Sequence, residues 1–309
     1  MKFYFAPMEG VAGYIYRNAY NKYFNNADKF FAPFISTSPN GIKRMKEFRD
    51  ILPENNKDID IVPQLLSNNA SDFIIAAKEI SDIGYEEINL NVGCPSGTVT
   101  SKSKGAGMLI DLDKLDRFLD EIFNSLTMKI SVKTRIGFEN ADDVEELIKI
   151  YNRYPIYELI VHPRTRQDFY KNQVDLDAFA EFVNYSKHSL CYNGDIFSYG
   201  DYLELVKKFP NIEKIMIGRG ILRNPSILEN ILQKNDRPLW DDIFMFHDEL
   251  FNEYKNYLSG DTNLLFKMKE VWLHMVNSMD SPERAAKKIK KIKNIKEYNI
   301  VINEFKNLV

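Results

Sequence analysis

Short runs of hydrophobic, often β-branched residues recur along the chain as far as Ile217, and each is followed by turn residues and then by a stretch with helical spacing. This alternation predicts parallel β-strands connected by helices. Eight strands with intervening helices favour a (β/α)8 TIM barrel over a six-stranded open sheet. The predicted strands are Phe3 to Met8, Lys29 to Ile35, Ile59 to Leu65, Glu87 to Asn91, Lys129 to Thr134, Glu158 to His162, Ser189 to Asn193 and Lys214 to Ile217.

The predicted helices between the strands are amphipathic, and an Asp, Asn or Ser stands where each would need a cap. Examples are Ala70 to Ile83, Asp111 to Leu126 and Ala141 to Tyr154. These segments support an α/β chain in which helices alternate with strands.

The strand pattern stops after Pro225, and the chain is helical in pattern almost throughout residues 240–309. Asn, Asp and Pro residues interrupt the pattern at 235–238, which indicates a boundary. We therefore expect a catalytic barrel over residues 1–235 and a small all-helical C-terminal domain over residues 236–309.

The composition, net charge and cysteine count limit the class of protein to which the chain can belong. The 309 residues are 44% hydrophobic and 28% charged, which is typical of an ordinary globular chain. A net charge of -3 gives no whole-chain preference for nucleic acid, so such a partner would need a local basic patch. Two cysteines form no disulfide framework, and no segment reads as a signal peptide or as the ~18 apolar residues of a membrane span. We expect a cytoplasmic monomer without a membrane or metal partner.

Polar and reactive residues collect at the predicted C-terminal ends of the strands, where barrel enzymes place their working groups. The last two ends carry glycines that let backbone N–H groups approach a phosphate, and Arg219 adds charge; a pair of tight turns is the alternative. The segments are Pro7-Met8, Gln64, Asn89 to Pro95, Lys133 to Arg135, His162 to Arg166, Asn193 to Asp195 and Gly218 to Gly220.

Three of these side chains suggest chemistry at the barrel mouth. Lys133 and His162 would face a bound ligand there. A snorkelling surface lysine is the alternative for Lys133, and for His162 taken alone a hydrogen-bonded structural histidine is the commoner explanation. Cys94 begins a polar, glycine-rich loop that runs to Gly107. A thiol with a pKa of ~8.5 is mostly protonated at neutral pH, so Cys94 can act as a general acid or as a nucleophile. Cys191 lies in an apolar strand and is predicted to pack in the core.

A basic segment stands out in the helical C-terminal part. A solvated helix face is the simplest explanation for such a run, and a patch that binds nucleic acid is the alternative. Between Ser281 and Lys296 the only acid is Glu283, against Arg284, Lys287, Lys288, Lys290, Lys291, Lys293 and Lys296.

Together these motifs resemble those of the tRNA-dihydrouridine synthases, flavin enzymes built from a barrel and a helical domain. The most specific motif surrounds Cys94, from Asn89 to Ser96. The resemblance implies that the 5,6 double bond of a uridine in tRNA is reduced by bound FMN, which NADPH reduces. In this scheme flavin N5 gives hydride to C6 and Cys94 gives a proton to C5. The other matching segments are Ala6 to Gly10, Gln64-Leu65, Lys104 to Gly107, Val132 to Arg135, His162 to Thr165, Asn193 to Asp195 and Gly218 to Gly220.

The resemblance also implies a role for each matching position. Pro7, Met8, Gln64, Lys133 and His162 would contact the isoalloxazine, and Asn193, Asp195, Gly218 and Arg219 would hold the ribityl chain and phosphate. Asn91, Arg135, Arg164, Arg166 and Tyr170 would line the uridine side. The resemblance favours interpreting the basic segment as an RNA contact, made through Lys287, Lys288 and Lys291. Pro163 departs from the family pattern, in which a small residue is common.

Two other functions fit part of the pattern. A dihydroorotate-dehydrogenase-like flavin enzyme acting on a free pyrimidine would share the flavin residues but would not need the basic helical segment. A tRNA-binding chaperone without catalysis would not need Cys94 or Lys133, and both are present.

Overall fold

The computed structural model describes residues 1–42 and 45–308. The strands of these residues belong to one sheet, parallel at every pairing except the short β3–β4 hairpin. The strands are β1 (Lys2–Phe5), β2 (Lys29–Phe31), β3 (Ile35–Ser38), β4 (Gly41–Ile42), β5 (Ile61–Val62), β6 (Gln64–Leu66), β7 (Glu87–Val92), β8 (Lys129–Gly137), β9 (Leu159–Thr165), β10 (Leu190–Asn193) and β11 (Lys214–Ile217).

The sheet closes into a barrel of eight strands, which confirms the predicted fold class. Its order is β4-β3-β6-β7-β8-β9-β10-β11-β1-β2-β5. Only Pro63 separates β5 from β6, so these two segments are one barrel strand and join the ends of the sheet. Segments β2 and β3 form another strand, interrupted around Pro33. Proline has no N–H for the ladder, which explains both interruptions.

The strand boundaries differ from the prediction where the site lies. Strand β11 has the predicted bounds, whereas β8 and β9 continue to Gly137 and Thr165. Arg135 and Arg164 therefore stand on strands rather than in the following loops, and the sheet backbone fixes their positions.

The pairing register arranges inward-facing residues in rows. Gln64 is paired with Asn89, and Asn89 with Ser131. One row nearer the C-terminal end, Asn91 is paired with Lys133, and Lys133 with Ile160. A buried apolar cluster that contains Tyr4, Ala6, Phe31, Val62, Ile160, Cys191 and Met216 fills the interior. The predicted core packing of Cys191 is thus confirmed.

Some of the helices begin at a residue whose side chain caps the first turn. Asn69 accepts a hydrogen bond from Asp72 N, and Asp111 accepts one from Lys114 N. The described helices are α1 (Tyr14–Tyr23), α2 (Met45–Ile51), α3 (Ala70–Asp82), α4 (Gly97–Thr100), α5 (Leu112–Ser125), α6 (Val144–Tyr151), α7 (Leu176–Tyr185), α8 (Tyr199–Lys208), α9 (Arg219–Arg223), α10 (Ile227–Gln233), α11 (Trp240–Tyr257), α12 (Asp261–Met275), α13 (Pro282–Lys291) and α14 (Ile295–Lys306). Short 3-10 helices cover Pro53–Asn55, Gly105–Ile110 and Val276–Ser278.

Two compact units divide the chain. The first contains residues 1–7, 29–194 and 211–216, and the second contains residues 8–28, 195–210 and those from 217 onward. The boundary predicted at residue 235 stays a prediction. In the part of the chain that the structure describes, no helix has both the length and the apolar character of a membrane span, and no cluster of His, Cys, Asp or Glu could hold a metal ion.

Candidate active site

A chain of hydrogen-bonded amides lies inside the barrel of the first unit. Asn91 Nδ2 donates to Gln64 Oε1 at 2.7 Å, and Gln64 Nε2 donates to Asn89 Oδ1 at 2.7 Å. Asn89 Nδ2 continues the chain to Ser131 Oγ at 3.0 Å. All four side chains are buried. Because each amide both donates and accepts, the network holds Gln64 and Asn91 in one orientation.

The amide of Asn91 also fixes the backbone at Cys94. Its Oδ1 accepts hydrogen bonds from the backbone N–H groups of Gly93 and Cys94, at 3.0 and 2.9 Å. Cys94 O accepts from Ala106 N at 3.0 Å. Gly105 has a φ of +57°, and a Cβ there would lie 2.9 Å from Cys94 O, so the turn requires glycine. The loop is thereby pinned at both ends, with the thiol partly exposed.

Lys133 is a half-buried cation in the row of Asn91 and Ile160. Its ammonium makes no hydrogen bond or ion pair with the residues that the structure describes. Burial, together with the nearby charge of Arg135, lowers the pKa of Lys133 to about 8. A desolvated cation without a counter-ion is unfavourable, so the site suits a ligand that brings negative charge to Nζ. This environment argues against a snorkelling lysine.

His162 is buried and pairs with a second arginine. Arg164 Nη1 lies 3.1 Å from His162 Nε2. Arginine can only donate, so Nε2 accepts and the neutral imidazole carries its proton on Nδ1. Arg164 Nε also donates to Asn172 O at 2.8 Å. Nη1 and Nε of Arg164 thus both make contacts within the chain. Its role beside the uridine stays a prediction.

Pro163 lies at an irregularity of strand β9. Arg135 is paired with His162 but Gly137 with Thr165, so β9 has one extra residue across this step. A bulge is one of the places where a strand tolerates the missing N–H of proline. Pro163 O still accepts a hydrogen bond from Asp175 N at 2.8 Å. The substitution from the family pattern is therefore accommodated next to His162, with the imidazole held in the barrel.

Arg135 holds two loops together through backbone carbonyls. Its Nε donates to Gly93 O at 2.9 Å, Nη1 to Thr165 O at 2.6 Å and Nη2 to Phe169 O at 2.8 Å. The guanidinium also lies 5.3 Å from the centre of the Tyr170 ring, and Tyr170 is exposed. Arg135 is therefore a support for the Cys94 loop and for the loop after β9, beyond its predicted substrate role.

Three first-unit residues remain. Arg166 follows strand β9, and its guanidinium lies near the rings of Phe138 and Phe169. Pro7 and Asn193 lie where strands β1 and β10 end. Asn193 is buried, and its Nδ2 donates to Met216 O at 2.8 Å, which ties β10 to β11. A Cβ at Gly194 would lie 2.1 Å from Tyr192 Oη, so a larger residue here would require the buried Tyr192 ring to shift. Pro7 is half-buried.

The second unit contains the predicted phosphate residues Asp195, Gly218 and Arg219. Arg219 Nη2 donates to Asp195 Oδ1, and its guanidinium lies 5.4 Å from the centre of the Phe197 ring. A Cβ at Gly220 would lie 2.0 Å from Ile196 O, so the backbone here approaches its neighbour closely. Met8, in the same unit, accepts backbone hydrogen bonds from Val11 and Ala12.

The predicted RNA contacts lie on helix α13 and differ in whether they form an ion pair. Lys287 and Lys291 are exposed and form no ion pair with any described residue. Lys288 pairs with Glu304 at 2.6 Å, which offsets its charge. Ala285 and Ile289 are buried on the opposite side of the helix. The basic side is thus separate from the packed side, and Lys288 is the weakest candidate of the three.

Asp168 is a site residue that sequence reasoning missed. Its Oδ2 accepts from Thr165 N at 2.7 Å and from Thr165 Oγ1 at 2.8 Å, and its Oδ1 accepts from Asn172 Nδ2 at 2.5 Å. Partial burial opposes the charge of Asp168, but these hydrogen bonds outweigh it and lower the pKa of the carboxyl group. The spacing Thr-x-x-Asp resembles a capping box and could have revealed this turn. Ser131 was also missed, and Asn89, although it begins the predicted segment around Cys94, was given no role of its own, because both roles depend on the strand register.

Comparison with known proteins identifies the relatives of this chain. The family model described as dihydrouridine synthase matches residues 4–304. A probable tRNA-dihydrouridine synthase from Staphylococcus aureus is 29% identical over 266 residues, covering 82% of this chain and 78% of the relative. The tRNA-dihydrouridine synthase B of Pasteurella multocida is 26% identical over 238 residues, covering 76% and 70%.

Solved structures with a similar fold are more distant in sequence. Morphinone reductase superimposes with a TM-score of 0.53 at 12% identity, covering 78% of this chain and 88% of the other. A variant of NCR from Zymomonas mobilis gives a TM-score of 0.54 at 15% identity, covering 77% and 88%. At these identities the similarity concerns the fold alone.

Proposed function

The chain belongs to the dihydrouridine synthase family, and from this premise we propose that it reduces the 5,6 double bond of a uridine in tRNA, with bound FMN as cofactor and NADPH as reductant. The observation that carries the proposal is the barrel mouth of the first unit. There Asn91 orients the Cys94 backbone. Lys133, which carries the desolvated ammonium, is the register partner of Asn91 on the neighbouring strand.

The residues present fit a flavin. The desolvated cation of Lys133 favours a ring system that accumulates negative charge on reduction, and the amides of Gln64 and Asn91 supply oriented polar groups. Pro7, Gln64, Lys133 and His162 of the first unit would contact the ring, as would Met8 of the second. Asn193 would hold the ribityl chain, and Asp195, Gly218 and Arg219 the phosphate. When bound, the flavin supplies the hydride that C6 of the uridine receives.

Cys94 is the proton donor in this proposal. Saturation of the double bond requires one proton at C5 in addition to the hydride at C6, and a protonated thiol at neutral pH can supply it. Asn91 fixes the backbone N–H groups of Gly93 and Cys94 and so limits where the thiol can point. Asn91, Arg135, Arg164, Arg166 and Tyr170 would line the uridine.

The uridine must leave the folded RNA to react, so the enzyme has to hold the tRNA while the base is extruded. Because the tRNA backbone is negatively charged, holding it requires a basic surface. The exposed lysines of α13 provide one, with Lys287 and Lys291 as its most accessible charges. Lys288 would contribute only if RNA displaced Glu304.

The proposal is tested by incubating the FMN-loaded protein and NADPH with tRNA that lacks dihydrouridine. Nucleoside mass spectrometry of the digested tRNA should show dihydrouridine, and free uridine or orotate in parallel reactions should stay unchanged. Turnover of the free pyrimidine without modification of tRNA would instead favour the dihydroorotate-dehydrogenase-like activity. Oxidation of NADH compared with NADPH in the same assay identifies the reductant.

A further inference from the structure

Phe169 is an exposed aromatic residue with an unusual backbone conformation. It lies in the loop after β9, its surface is 37% exposed, and its φ is +49°. Bulky residues rarely adopt a positive φ, because the left-handed region brings Cβ close to the backbone. Tyr170, the next residue, is 46% exposed. The loop therefore presents two adjacent aromatic rings to solvent at a cost in backbone energy.

Several hydrogen bonds hold Phe169 in this conformation. Arg135 Nη2 donates to Phe169 O at 2.8 Å, and Phe169 N donates to Arg166 O at 3.2 Å. On either side, Asp168 accepts from Thr165 N, and Arg164 donates to Asn172 O. Strained residues persist where their surroundings over-determine them, and they concentrate at functional sites. The backbone of Phe169 is thus fixed by several contacts while its ring stays partly exposed.

The charge around Phe169 points to a polyanion. The Arg166 guanidinium lies between two rings, 4.9 Å from the centre of Phe169 and 5.4 Å from that of Phe138. Lys171 is exposed nearby in sequence. Asp168, the acid next to Phe169, has both carboxylate oxygens in hydrogen bonds with Thr165 and Asn172. Exposed aromatic rings next to cations are how proteins bind single-stranded nucleic acid.

We propose that Phe169 is a stacking platform for an unpaired RNA base adjacent to the reacting uridine. The inference rests on the proposed function in taking tRNA as the RNA. Extruding the uridine costs stacking between it and its neighbours. A partly exposed ring on an already fixed backbone would replace part of that stacking with little further cost of ordering the protein. Arg166 strengthens the platform by adding positive charge behind the ring.

The platform is tested with Phe169→Leu, which keeps an apolar side chain and removes the ring. We expect its KM for tRNA to rise about tenfold to a hundredfold, the effect of removing one base–aromatic stack, with kcat and flavin reduction by NADPH unchanged. Phe169→Tyr should restore the parent KM. Tyr185→Leu is the matched control, because Tyr185 is an exposed aromatic residue at the end of α7.

A direct binding measurement separates the platform from the activity. The tryptophan introduced by Phe169→Trp should lose fluorescence when single-stranded oligouridine is added, whereas the parent protein, with Trp240 and Trp272, should show no such loss. Failure of the parent to form dihydrouridine would refute the proposed function without affecting this fluorescence test. An unquenched Phe169→Trp signal and a parental KM for Phe169→Leu would overturn the platform.

Discussion

Replacing Lys133 by methionine exchanges a desolvated cation for a neutral side chain of similar length, and we expect the FMN-free protein to become more stable. Burial and the charge of Arg135 lower the pKa of Lys133 from 10.5 to about 8. Each unit of pKa difference between the folded and unfolded chain corresponds to about 1.4 kcal/mol. At neutral pH this difference limits the cost of the charge to folding to at most about 3 kcal/mol. The cost falls below that limit because Lys133 is half-buried and water screens part of the effect.

The gain in stability should depend on pH in a defined direction. Below about pH 8 Lys133 is protonated in both the folded and the unfolded chain, so the full penalty applies. Between about pH 8 and pH 10.5 the unfolded chain keeps the proton that the folded chain has released, so the parent protein gains stability as the pH rises. The advantage of Lys133→Met should therefore shrink by roughly half between about pH 7 and about pH 9.5.

Urea denaturation of the FMN-free proteins, followed by circular dichroism, measures this difference. Lys129→Met is the matched control, because Lys129 lies at the exposed start of the same strand and should change stability by no more than about 0.5 kcal/mol. Lys133→Met should also bind FMN more weakly, so the same change stabilises the fold and impairs the site. If Lys133→Met is no more stable than the parent at pH ~7, the claim that Lys133 is a desolvated cation that destabilises the fold is refuted.

Two further predictions concern residues of the second unit that are proposed to bind phosphate groups. Arg219→Ala should weaken FMN binding about tenfold to a hundredfold, the effect of losing a charge-assisted hydrogen bond. Arg223 contacts the same Phe197 ring, and Arg223→Ala is the control that should retain FMN. Equilibrium dialysis measures both affinities, and full FMN retention by Arg219→Ala would mean that the phosphate binds elsewhere. Replacing Lys287 and Lys291 by glutamine should make the plot of log affinity for tRNA against log salt concentration less steep by ~0.7 to ~0.9 for each phosphate that these lysines neutralise in the parent. The exposed Lys207→Gln is the control, and an unchanged slope would identify the α13 lysines as a solvated face.

The barrel could be predicted from the sequence because each strand carries its own local pattern of β-branched residues and turn signals. Strand β11 has the predicted bounds. The interruptions at Pro33 and Pro63 follow from the missing proline N–H and were visible in the sequence, although the prediction ran each strand through its proline. Their consequence, closure of the sheet between β5 and β6, became clear only from the pairing.

The supporting contacts of the site could not be predicted, because they depend on distances between residues far apart in the chain. Arg135 reaches Gly93 O and Phe169 O, and these contacts require the register of β7, β8 and β9 and the irregularity next to Pro163. Residue type alone indicated an arginine near a ligand. The strained conformation of Phe169 has no sequence pattern that would reveal it.

The role of Cys94 as proton donor is the central claim, and anaerobic single-turnover kinetics test it most directly. Cys94→Ala should bind FMN and be reduced by NADPH at the parent rate, because the thiol is not a flavin contact. After tRNA is added, dihydrouridine should form ~10² to ~10⁴ times more slowly than with the parent, the usual effect of removing a positioned acid. Cys94→Ser should retain somewhat more activity because a hydroxyl can relay a proton. Formation of dihydrouridine at the parent rate by Cys94→Ala would contradict the account.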